Sequence, residues 1–210
     1  MKWRAVFFDF DGVIVDSVPT KGEAFAESFR EFGSEIKQKV VEYHYDNGGV
    51  SREEKFKYFF KEFLCKPLTQ SHLTQLCQQF SDLVLEKVIT APYLPGVLDA
   101  LEQLKKDNTS SFIVSGTPQD EIRYIVEQRD LSKYFQGVYG SPRKKGEIIK
   151  ELLNENNLSP RKCLFIGDSL SDYEGAKETG VFFLGIVPDL KKSIFPQSTN
   201  ISSLITLYKP

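Results

Sequence analysis

The chain has 210 residues, of which 27% are charged and 40% hydrophobic, with a formal net charge of −2. These are ordinary values for a globular chain with ample material for a core, and the balanced charge excludes an electrostatic footprint for nucleic acid. No run approaches the ~20 apolar residues of a membrane span, and Met1 to Arg4 lead straight into a strand pattern with no room for a signal peptide, so a cytoplasmic protein with neither nucleic-acid nor membrane partners is expected.

The first element is the apolar run Val6, Phe7, Phe8, which reads as a buried strand and stops at Asp9, Phe10, Asp11, Gly12. In an open parallel α/β sheet the ligand crevice lies outside the carboxyl ends of the strands, so two carboxylates at this address suit chemistry. Side-chain alternation puts Asp9 and Asp11 on the same side, where mutual repulsion favours a cation between them. Taken alone, the tetrapeptide is more often a strand running into an Asp-Gly turn, and the downstream pattern decides.

From Asp16 to about Val88 apolar residues recur at three- and four-residue spacing: Phe25, Phe29 and Phe32; then Phe56, Phe59, Phe60 and Phe63; then Leu73, Leu76, Phe80, Leu83 and Val84. This predicts an all-helical insert over residues 16–90, its aromatic stripes forming a packed core, between the two pieces 1–15 and 91–210 of one α/β domain. Within it Asn47, Gly48, Gly49 and Val50 form a glycine loop before a helix capped by Ser51, with Glu54 completing a capping box. His44 and His72 have no partner pattern and read as surface or satisfied structural residues, and Cys65, Cys77 and Cys163, with no ligand spacing, as core thiols.

Pro95-Gly96 starts a helix through about Lys106. There follow a strand at Ser111 to Val114, a helix from Gln119 to Gln128, a strand around Gly137 to Tyr139, a helix from Lys145 to Asn156, a strand at Cys163 to Ile166, a helix from Ser171 to Glu178 and a strand at Val181 to Ile186. The alternation predicts a Rossmann-like parallel sheet with helices on both faces. The tail, with Ser202, Ser203, Leu204, Ile205 and Leu207, is expected to pack as a short helix.

Three further signals follow core strands. Ser115, Gly116, Thr117 and Pro118 place a hydroxyl and backbone N–H groups where phosphate oxygens bind, a pattern that a simple helix cap also produces. Gly140, Ser141, Pro142, Arg143, Lys144, Lys145 supply ammonium groups suited to phosphate, and Lys145, at the helix entrance, is favoured over its rival Lys144. Gly167, Asp168, Ser169, Leu170, Ser171, Asp172 put two hard oxygen ligands in one loop, which suits Mg²⁺, with Asp168 as direct ligand and Asp172 as a second ligand or an orienting group.

Together, DxDGV after the first strand, Ser after the second, Lys after the third and GDSxxD after the fourth, with a helical insert following the first, resemble the haloacid dehalogenase-like hydrolase superfamily over nearly the whole chain. The resemblance implies that Asp9 is the nucleophile forming an aspartyl-phosphate and Asp11 the general acid and base. It also implies that Ser115 and the motif lysine bind the transferring phosphoryl group, with Gly116 and Thr117 beside them, and that Mg²⁺ is held by Asp9, the Asp11 carbonyl and Asp168. Asp11 with Asp168 fits the phosphate-transfer branch rather than dehalogenation. Many relatives carry Lys-Pro after the third strand, and the shortened SPRKKGE leaves the motif lysine open between Lys144 and Lys145.

The position of the insert resembles the family's helical cap. Gly49-Val50-Ser51-Arg52-Glu53 is similar to the cap segment of beta-phosphoglucomutases, which implies that Arg52 contacts a phosphate at the substrate's far end; a solvent-facing arginine on an ordinary capped helix reads equally well. Lys21 stands where sugar phosphomutases often place a histidine, which weakens a mutase assignment. The expected activity is therefore Mg²⁺-dependent hydrolysis of a small phosphorylated metabolite, a phosphosugar or phosphoglycolate-like acid, by a monomer or weak homodimer. A phosphosugar mutase of the beta-phosphoglucomutase type is the runner-up, and a non-catalytic binding protein on the same fold the third reading.

Overall fold

Six parallel strands form one sheet in the order β3-β2-β1-β4-β5-β6, in a computed structural model that describes residues 3–205 and residue 207. The strands are β1 (Ala5–Phe8), β2 (Ser110–Pro118), β3 (Gly137–Ser141), β4 (Cys163–Gly167), β5 (Phe182–Ile186) and β6 (Ile201–Ser202). β1 pairs with β2 on one side and β4 on the other, so the strand order reverses at its carboxyl end, where an open α/β sheet has its crevice.

Alternation along β1 divides the core. Ala5 and Phe7 face one side, where they pack with Ile148, Ile149 and Leu152 of α7 (Lys145–Glu155) and Ala176 of α8 (Leu170–Thr179). Val6 and Phe8 face the other, against Leu101 and Leu104 of α5 (Val97–Lys106) and Ile122 and Ile125 of α6 (Gln119–Gln128). Both faces are thus covered by helices, as alternating elements require.

Between β1 and α5 lie only helices: α1 (Val18–Ser28), α2 (Gly33–Asp46), α3 (Arg52–Tyr58) and α4 (Gln70–Thr90), among shorter turns. The phenylalanine stripes meet in their interior. The Phe25 ring lies 4.4 Å from Phe80 and 5.5 Å from Phe56, centroid to centroid, and Phe29 lies 5.5 Å from Phe59. Ser51 Oγ accepts from the Glu54 amide and Thr69 Oγ1 from the His72 amide, so α3 and α4 begin at side-chain caps. The two connections to the sheet run side by side: the Leu94 amide donates to the Ile14 carbonyl and the Asp16 amide to the Pro92 carbonyl.

Three expectations change. The tail is not a helix; Ile201 and Ser202 pair with Gly185 and Ile186 as an edge strand, because β5 otherwise leaves a row of unpaired backbone groups and the tail satisfies them. β2 runs on past Val114 to Pro118, with a register shift against β3, so Ser115 lies within the strand rather than after it. Cys65 is exposed and Cys77 half-buried; of the three cysteines Cys163 alone is a core thiol. Among the described residues, no helix is long and apolar enough to cross a membrane.

Candidate active site

The Asp9 amide still donates to the Ile166 carbonyl, but the chain then turns into a tight loop where the Phe10 carbonyl accepts from Ile14 and Val15. Asp9 and Asp11 are therefore not strand residues, and alternation does not govern them. Asp9 Oδ1 accepts from the Phe10 amide at 2.6 Å, and Oδ2 from Lys145 Nζ at 2.7 Å. The carboxylate of Asp11 turns elsewhere, to Ser17 Oγ at 2.6 Å, Lys21 Nζ at 2.5 Å and Thr117 Oγ1 at 3.0 Å. Each carboxylate has its own ammonium partner, Lys145 for Asp9 and Lys21 for Asp11.

Lys145 stands at the first turn of α7, buried, and bridges two acids: its Nζ also donates to Asp172 Oδ1 at 2.6 Å. Asp172 is fully buried, and its other oxygen takes the Ser169 amide and hydroxyl, so both oxygens of this carboxylate are engaged. Lys144, one residue earlier, is exposed. Although burial opposes its charge, Asp172 and Asp9 hold the Lys145 ammonium above its ordinary range.

Asp168 completes the acidic group. Ligand oxygens of Asp9, Asp168 and Asp172 lie within 4.8 Å of one another, and Gly12, at φ +75°, makes room for Asp168, since a Cβ there would sit 2.1 Å from Asp168 Oδ2. Burial raises the Asp9 carboxyl to about 7 against the pull of Lys145, and burial together with Asp9 and Asp172 raises Asp168 well above the carboxylate range. Asp11 behaves oppositely. Burial works against its charge, but Lys21 and the hydrogen bonds from Lys21, Ser17 and Thr117 hold it below the usual value. Burial and mutual repulsion thus work against the charged forms of Asp9 and Asp168, and a divalent cation such as Mg²⁺ among these hard oxygen donors would relieve both.

A cavity of about 50 Å³ opens over Asp9, Asp11 and Asp168, roofed by residues of the helical insert and floored by Gly116 and Thr117. Ser115 is buried and lines the adjoining opening with Lys144 and Lys145; its Oγ accepts from the Thr117 amide at 3.1 Å. The glycine loop reaches the sheet, for a Cβ on Gly116 would meet the Gly49 carbonyl at 2.7 Å. Arg52 reaches the cavity wall, but it ion-pairs with Glu121 of α6 and donates to Ser81 of α4, so its charge is already answered.

Lys55, which sequence reasoning passed over, is buried and lines the same cavity, with its Nζ 3.0 Å from Nδ1 of the buried His44. The available signal was its spacing: three residues after Arg52 on a helix, it shares that residue's face.

Residues 6–186 match the family model described as haloacid dehalogenase-like hydrolase. A phosphorylated carbohydrates phosphatase of Thermotoga maritima is 30% identical over 187 residues, covering 85% of this chain and 82% of the relative. A phosphoglycolate phosphatase of Pseudomonas putida is 25% identical over 193 residues, covering 87% of this chain and 69% of the relative. The crystal structure of a beta-phosphoglucomutase from Clostridium difficile has the same fold, with a TM-score of 0.74 at 20% identity over 92% of this chain and 89% of that one.

Proposed function

The chain belongs to the haloacid dehalogenase-like hydrolase family, and we propose that it hydrolyses a small phosphomonoester through a covalent phosphoryl group on Asp9. The observation that carries this reading is the buried Asp9 carboxylate, open to the cavity and clamped by Lys145 at the crevice of the sheet. A carboxylate held in one orientation is ready for in-line attack on phosphorus.

In this reading Asp9 attacks the phosphoryl group, the P–O bond to the leaving group breaks, and Asp11, ionised at rest, hands that oxygen a proton it has first taken up from solvent. Asp11 then takes a proton from water as the water attacks phosphorus, and phosphate leaves with the Asp9 carboxylate restored. Lys145, held by Asp172, presents positive charge to the equatorial oxygens, and Ser115 and the amides of Gly116 and Thr117 hold them from the β2 side. Asp9, Asp168 and the Asp11 carbonyl would hold Mg²⁺, with Asp172 fixing Lys145 beside it. When bound, the ion would favour the ionised form of Asp9 and offset negative charge on an anionic ester. Residues 16–90 act as a cap that closes over the site and excludes water, hinged on the paired connections near Ile14 and Leu94.

A mutase would need Arg52 free for a second phosphate, and its buried pairing with Glu121 favours the hydrolase. The working site is the cytoplasm, and the partner a small phosphorylated metabolite rather than nucleic acid or membrane.

Phosphate release from a panel of sugar phosphates, phosphoglycolate and nucleotides tests this directly, with Mg²⁺ and after chelation. Release from one substrate class, lost on chelation and restored by Mg²⁺, is the expected result. Isomerised sugar phosphate without net release, or release indifferent to the chelator, would overturn it.

A further inference from the structure

Three cationic side chains of the helical insert line the cavity, and they differ in what they face. Lys21 pairs with Asp11, and Arg52 with Glu121. Lys55 is 2% exposed, and no carboxylate of the described residues makes an ion pair with it. Its Nζ meets His44 Nδ1 at 3.0 Å and the His44 carbonyl at 3.5 Å, and stands 5.6 Å from the centre of the Phe25 ring.

His44 does not supply the missing charge. Its Nε2 lies 3.0 Å from the Val18 carbonyl, which only accepts, so Nε2 carries the hydrogen and Nδ1 is the lone pair that receives Lys55. Burial, then the Lys55 charge, pushes the imidazole down to about 3, so it is neutral and serves to aim the lysine. Buried lysines are rare without a paired anion, and this one lines the space where a substrate's leaving group would lie.

We propose that Lys55, oriented by His44, binds a second anionic group on the leaving-group side of the substrate, a carboxylate or a further phosphate, and so selects small doubly anionic phosphomonoesters. This deepens the reading of Asp9 as the phosphoryl-binding end and rests on it. The cavity of about 50 Å³ keeps the leaving group short. Burial, with Lys21 nearby, lowers Lys55 to about 7, whereas Asp168 and Asp11 act in the opposite direction; an arriving anion would stabilise the ammonium form.

Binding of stable phosphonates by calorimetry, in the presence of Mg²⁺, separates this idea from catalysis. The probes are 3-phosphonopropionate, ethylene bisphosphonate and the singly headed propylphosphonate. For the wild-type protein at least one two-headed probe is expected to bind about tenfold tighter than propylphosphonate, and that gap to fall below about threefold in Lys55→Met and to return in part in Lys55→Arg. Which two-headed probe shows the gap tells carboxylate from phosphate. Equal or absent binding of both two-headed probes by the wild-type protein, a comparison that needs no variant, overturns the proposal, as does a gap that survives in folded Lys55→Met. If the gap holds but no ester is turned over, the hydrolase reading fails and the Lys55 site stands; turnover without a gap has the opposite meaning.

Discussion

Gly12 carries a constraint that no other residue type relieves. Its φ of +75° disfavours any side chain, and a Cβ would fall 2.1 Å from Asp168 Oδ2. Gly12→Ala should therefore cost about 2 kcal/mol from backbone strain and displace Asp168 as well. Thermal unfolding and a Mg²⁺ titration of activity should show a lower Tm and a metal requirement raised by about tenfold or more; wild-type values for both would mean the loop relaxes freely. At this scale much of the site was legible, because short motifs at strand ends carry their own address. Asp9 and Asp172 meet on the Lys145 ammonium, with Asp168 beside the two acids. The divergence of Asp11 from Asp9 was not legible, since it depends on a loop that leaves the strand at Phe8 and on Lys21 and Thr117, distant in sequence. Lys55 was missed for a related reason: burial of a lysine is a tertiary property that leaves no trace in composition.

Between elements, the pair Arg52–Glu121 ties α3 to α6, with side chains only 6% and 10% exposed, and Ser81 of α4 bonds to both. Removing one partner leaves the other charge buried, which typically costs about 3–5 kcal/mol, whereas replacing both with apolar residues of similar size is close to neutral. Urea unfolding should show Arg52→Ala destabilised by about 3 kcal/mol at an unchanged m value, with most of that loss absent in the Arg52→Met, Glu121→Leu double variant. A single variant within about 0.5 kcal/mol of wild type would mean the pair is solvated and carries no link between the helices. The elements themselves followed the sequence closely where periodicity was strong, as in the phenylalanine stripes that now form one aromatic interior. They departed from it where an edge had to be satisfied. The tail became β6 because β5 offered unpaired backbone groups, and β2 extended to Pro118 through pairing with Ser141, neither of which a local pattern encodes.

Over the whole molecule, the strand order places the carboxyl ends of β1, β2 and β4 around one crevice, and each contributes a signal from a different part of the chain: Asp9, Ser115 and Asp168. Parallel pairing with β1 as the centre is what turns motifs separated by a hundred residues into one site. The helical insert then covers that crevice from above, its Lys21 reaching Asp11 and its glycine loop touching Gly116. The central claim is that chemistry passes through Asp9. It is tested most directly by mixing enzyme with its best substrate from the panel in Mg²⁺, quenching in acid during turnover and reading the digested peptides by mass spectrometry. The account predicts one phosphoryl group on the peptide containing Asp9, and neither that group nor phosphate release in Asp9→Asn. Undiminished release by Asp9→Asn, with no phosphoryl group on that peptide in the wild-type protein, would contradict it.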